Sequence, residues 1–175
     1  GVGKHALQLE WQCYYQGEWK KMTVTKHVMY TLLAYPNEPW LSRNGPTQYP
    51  WVSLLDKACT WAAGKKTPEE VAGAIELKVN EGLGLEYDTS GWGQSYYCGT
   101  NGLFYLSGFL TLYSHLVNCT DCATIVTTFA NALGCDLYEA RMEDPASMKP
   151  FAFVEVKSIG KKVWEDGKFT YHEVA

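Results

Sequence analysis

Asn118-Cys119-Thr120-Asp121-Cys122-Ala123 runs without a break into Thr124-Ile125-Val126-Thr127-Thr128-Phe129-Ala130-Asn131-Ala132-Leu133-Gly134. Asn118 is a good N-cap, and Asp121, three residues on, suits the first turn of a helix. Ile125, Val126, Phe129 and Leu133 repeat at helical spacing, and Gly134 supplies the usual stop. The pattern predicts a helix that opens with a thiol. At its first position Cys119 meets unpaired backbone N–H groups and the positive end of the helix dipole, which favour negative charge there. A nucleophile so placed needs a base.

Working outward, Thr67-Pro68-Glu69-Glu70 is a strong helix start, with Thr as N-cap and Pro at the first position. Val71, Ala74, Ile75 and Val79 form its apolar stripe, and Gly82 ends it. Val52–Ala63 reads as an earlier helix stopped by Gly64. Leu103–Leu116 reads as a further helix leading into the Cys119 turn. Residues 83–102, rich in glycine and aromatics, read as an extended loop near or over a site.

Strand signals dominate both ends. Ala6–Tyr15 and Met22–Tyr35 are strand-like, and Pro36-Asn37-Glu38-Pro39 closes them as a turn. Residues 40–52, with Pro46 and Pro50, read as an irregular loop. After Gly134 the period changes from helical to alternating. Asp136–Met142 and Phe151–Val156 are strand candidates, and Val163-Trp164 and Phe169–Val174 flank the turn Glu165-Asp166-Gly167-Lys168. Helices followed by a run of strands point to an α+β fold. Residues 1–50 read as a β-rich N-terminal extension and 51–175 as the main domain.

Composition bounds what this can be. At 175 residues the chain can fill one core, and an apolar share of 46% argues against disorder. Seven Trp and twelve Tyr fit an aromatic-lined cleft or a ring-filled β-rich core. The net charge is −4 with scattered basic residues, so no nucleic-acid footprint is visible. The most apolar run, Leu103–Val117, is interrupted by Ser107, Gly108, Ser114 and His115 and is too short and polar to span a bilayer. The chain starts at Gly1 without Met and reads as a piece of a longer or processed protein. Its six cysteines lack the spacing of a stapled scaffold and leave the redox compartment open.

Three chemistries compete for the Cys119 turn. The first pairs Cys119 with His172, 53 residues downstream on a predicted strand that could lie beside the helix N-terminus. The second is zinc, from His115, Cys119, Cys122 and Cys135. Cys135, however, lies at the far end of the helix, roughly 20 Å away by helical rise, which makes a single four-ligand site implausible. The third is C-x-x-C redox chemistry, which wants a strand before the motif and βαβ alternation around it. Neither is predicted here. A Cys119–Cys122 disulfide would silence the nucleophile. No metal or cofactor is expected.

The run Asn-Cys-Thr-Asp-Cys-Ala-x6-Ala-x-Ala-Leu-Gly-Cys resembles the nucleophile helix of the transglutaminase-like superfamily, over roughly residues 103–175. The resemblance implies a papain-like core, with the nucleophile helix packed on a small antiparallel sheet. It matches Cys119 to the nucleophile and Leu133-Gly134 to the helix end. The family's His strand has two candidates. Phe151-Ala-Phe-Val-Glu-Val156 fits the hydrophobic pattern but begins with Phe, whereas Tyr171-His172-Glu173-Val174 retains the His. The base is therefore expected at His172. The family's third residue, an Asp or Asn on the following strand, has no counterpart before Ala175.

The implied oxyanion donors are the Cys119 N–H and an upstream side chain, with Trp92, Gln94 and Tyr96 as candidates. The implied activity is cysteine-dependent acyl transfer on a protein or peptide substrate, with hydrolysis of amide bonds as the first expectation. A catalytically silent binding domain using an aromatic groove is the alternative.

Overall fold

Two long strands, β1 (Gly3–Tyr15) and β2 (Glu18–Thr31), pair antiparallel from Gly3 opposite Thr31 to Tyr15 opposite Glu18. Gln16 and Gly17 join them with φ of 53° and 85°, the doubly positive geometry that matches the twist of a tight hairpin. The ribbon is tied down at its base. Val2 is buried, the Lys4 ammonium lies 2.6 Å from the Asp56 carboxylate, and the Tyr30 hydroxyl donates to Asp56 at 2.5 Å. Beyond the base most side chains on both faces are exposed.

The computed structural model describes residues 1–40, 49–89, 94–100, 102–143, 151–152, 156–160, 163–164, 168–169 and 171–175. After the ribbon come α1 (Val52–Trp61), α2 (Pro68–Glu81), β3 (Glu86–Tyr87), α3 (Leu106–Thr111), β4 (Leu116–Val117) and α4 (Cys119–Ala132). Six short strands follow: β5 (Ala140–Glu143), β6 (Phe151–Ala152), β7 (Val156–Lys157), β8 (Val163–Trp164), β9 (Lys168–Phe169) and β10 (Tyr171–Val174). The protein is α+β, with small two-stranded sheets around a helical core.

That core is built around α4, which is buried almost all round and packs on α1, α2 and β10. Phe129 stacks on Trp61 at 4.9 Å and meets Phe109 edge-on at 5.4 Å. From α2 come Val71, Ile75 and Val79, the predicted stripe, with Thr67 capping the Glu70 N–H. The first fifty residues contribute too, because Trp40 is buried and its indole N–H donates to the Thr128 carbonyl at 2.9 Å. No helix among the described residues is long and apolar enough to cross a membrane.

Two expectations about elements are corrected. The helix predicted over Leu103–Leu116 shrinks to the six residues of α3, because Leu112 turns left-handed at φ 50° and ends it. Leu116 and Val117 then extend as β4, parallel to β3. Among the described residues, Val163-Trp164 and Phe169–Val174 also do not pair with each other across the intervening turn, whose residues 165–167 lie outside those described. Instead β8 pairs back with β7, β9 with β6, and β10 with β5. Such two-residue strands take their partners from tertiary packing rather than from local turn chemistry.

Candidate functional site

The N-terminus of α4 is locked by its own first residues. The Asn118 side chain accepts from the Asp121 N–H at 2.9 Å, and the Asp121 carboxylate accepts in return from the Asn118 N–H at 3.2 Å, a capping box. Asp121 is fully buried and does more than cap. It also accepts from the Ser95 hydroxyl and from the N–H groups of Tyr96, Tyr97 and Cys98 at 2.9, 2.9 and 3.1 Å. These donors and the helix N-terminus compensate a buried negative charge. One carboxylate therefore fixes residues 95–98 against the turn that carries Cys119.

Parallel pairing of β3 and β4 sets Tyr87 opposite Val117, two residues before Cys119. The Tyr87 hydroxyl consequently accepts from the Cys119 N–H at 3.1 Å and also interacts with the thiol side chain. Burial, and then the neighbouring Cys119, hold the Tyr87 hydroxyl well above its usual acidity range, so it stays a hydrogen-bond donor.

From the other side comes the strand that ends the chain. β10 pairs antiparallel with β5, the first strand after α4, with His172 opposite Met142 and Glu173 opposite Arg141, and it packs on α4. Cys119 and His172 thereby line one cavity of about 510 Å³, together with Tyr87, Cys122, Glu76 and Glu173. Cys119 is only 6% exposed. Burial lowers the His172 pKa below its ordinary value, partly opposed by the Glu173 charge. Its imidazole is therefore neutral near pH 7 and able to accept a proton. Arg141 lies 3.9 Å from Glu173 and 4.0 Å above the Tyr171 ring. Cys122, beside Cys119, is pushed strongly up by burial and remains a thiol.

The other predicted residues fall elsewhere. Gln94 is exposed and is not among the residues that line the cavity, and Trp92 lies outside the described residues. Tyr96 donates its hydroxyl to Asp88 at 2.9 Å. Tyr87 was missed, although Gly84-Leu85-Glu86-Tyr87 carries the alternation of a short strand inside a segment read as loop. All six cysteines are free thiols. Among the described residues no cluster of three or more His, Cys, Asp or Glu is positioned to hold a metal ion. Compared with protein-family profiles, with curated proteins and with solved structures, the chain matches none of them.

Proposed function

We propose that the protein is a cysteine-dependent acyl-transfer enzyme with a transglutaminase-like core, hydrolysing peptide or amide bonds through a thioester at Cys119. The observation that supports it is the convergence of two distant segments. A thiol at a helix N-terminus and a histidine kept neutral by burial line one cavity.

In this reading the Cys119 sulfur attacks the amide carbonyl carbon while His172 takes the thiol proton. The carbonyl oxygen gains the negative charge, and the Tyr87 hydroxyl, already bonded to the Cys119 N–H, donates to it. His172 passes its proton to the leaving nitrogen as the C–N bond breaks, leaving a thioester and a free amine. Water then attacks the thioester carbonyl, His172 accepts its proton, and the thiol departs with that proton restored.

The test is iodoacetamide alkylation of Cys119 across pH, read by mass spectrometry, in wild type and in His172→Ala. Fast alkylation below pH 8 that disappears in His172→Ala supports the enzyme. The low exposure of Cys119 favours a second reading, a silent binding domain. Slow alkylation indifferent to His172 would establish that one instead.

A further inference from the structure

A second concavity, distinct from the Cys119–His172 cavity, is a groove of about 710 Å³ on a different face of α4. Cys119, Cys122, Ala123 and Val126 follow one helical stripe into the cavity, while Thr124, Thr127 and Thr128 follow another into the groove. Leu137 lines both. The groove's outer walls are the exposed rings of Trp51, Tyr105 and Tyr138.

Charge singles out what such a groove accepts. Glu38 and Glu139 line it, Glu76 and Glu173 line the cavity, and no described residue lining either one is a lysine or arginine. The ribbon holds four lysines against two glutamates, so the body carries more negative charge than the chain's net −4. Glu139 is exposed as a residue, yet its carboxyl is desolvated enough to be held above the ordinary range. A cation alongside it would offset that cost. Thr127, 7% exposed, has a buried hydroxyl with no hydrogen-bond partner among the described residues. Aromatic faces combined with carboxylates are the usual environment for ammonium and guanidinium groups.

We infer that groove and cavity together hold one basic polypeptide, with a lysine or arginine side chain in the groove and the reacting amide at Cys119. The position of the amide rests on the acyl-transfer reading; the occupancy of the groove does not. The width of a helix with its side chains is roughly 10 Å. A chain that passes around the helix, beside Leu137, therefore needs at least about three extended residues between the basic side chain and the amide.

The experiment uses Cys119→Ala protein and three labelled peptides of equal length, bearing lysine, acetyl-lysine or glutamate, followed by fluorescence anisotropy. The lysine peptide is expected to bind at least tenfold more tightly than the acetylated one, and the glutamate peptide not at all. Glu38→Gln and Glu139→Gln, both at exposed positions, should each weaken lysine-peptide binding several-fold without changing the thermal melt. Equal binding of all three peptides, unchanged binding in the Gln variants, or displacement of the lysine peptide by a neutral oligosaccharide overturns the inference. Alkylation of Cys119 is measured separately on wild type. An inert Cys119 with intact lysine preference removes the acyl-transfer reading and leaves the groove, and a reactive Cys119 without that preference does the reverse.

Discussion

Tyr87, His172 and Asp121 each carry a distinct consequence. If Tyr87 donates to the oxyanion, Tyr87→Phe should lower kcat roughly a hundredfold with KM nearly unchanged. It should also cost about 1–3 kcal/mol of stability, because the buried Cys119 N–H loses its acceptor. For His172, burial makes the folded form harder to protonate than the ordinary value of 6.5. As pH falls the unfolded chain takes up this proton first. The contribution to stability is complete above pH 6.5 and is lost as pH falls through the lower folded value. The acidic limb of kcat/KM should accordingly lie below 6.5, which a pH–rate profile in the free-enzyme regime reads directly. Asp121→Ala removes the shared acceptor of five donors. Of these the Tyr97 and Asn118 N–H groups are buried and the Cys98 N–H keeps the Ser95 hydroxyl, so the change should cost about 3 kcal/mol or more in urea denaturation. Of these residues, Asp121 was legible in sequence only as a helix-start acid. Its hold on residues 95–98 depends on where the chain returns in space, which no local pattern encodes.

Elements with their own caps were readable, and elements that borrow their partners were not. The cap and stop signals of α2 and α4 are local chemistry, and both helices run where those signals place them. By contrast, Leu103–Leu116 has helical spacing but is cut at Leu112, and the rings of Tyr105 and Tyr113 crowd around Gly108. The end of α4 gives the sharpest test of a cap. Gly134 has φ 93°, and a Cβ there would run into the backbone of Ala34. Gly134→Ala should lose at least about 2 kcal/mol by thermal or chemical denaturation. Gly82, which ends α2 at φ −101°, would crowd only the flexible Lys78 side chain, so Gly82→Ala should stay within about 1 kcal/mol of wild type.

On the scale of the whole molecule, stability is unevenly spread. The body closes around α4, while the β1–β2 ribbon meets it at its base, against α1, and leaves most of its side chains on both faces exposed. A two-stranded ribbon is marginal by itself. Backbone amides of residues 8–27 should therefore exchange with deuterium at least about a hundredfold faster than those of Ile125–Ala130, as measured by mass spectrometry. Loose alternation at 6–15 and the β-branched and aromatic content of 22–35 made the ribbon visible in sequence. Its exposure was not visible, because large rings such as Trp11 and Trp19 read equally well as core. Cys119 and His172 lay between these cases, since the residues could be named from sequence but their lining of one cavity depends on β10 pairing with β5.

The separation of ribbon from body also sets the ribbon's Trp11 and Trp19 apart optically from the body's Trp40 and Trp61. Trp19 and Trp11 are 69% and 50% exposed on the ribbon, whereas Trp40 is 5% exposed in the body and Trp61 is stacked on Phe129. Their emission should divide into a red, water-relaxed component and a blue, shielded one. A melt followed at the blue edge will track the helix that carries Cys119, as Trp40 and Trp61 lose their shielding, while Trp11 and Trp19 emit to the red before and after.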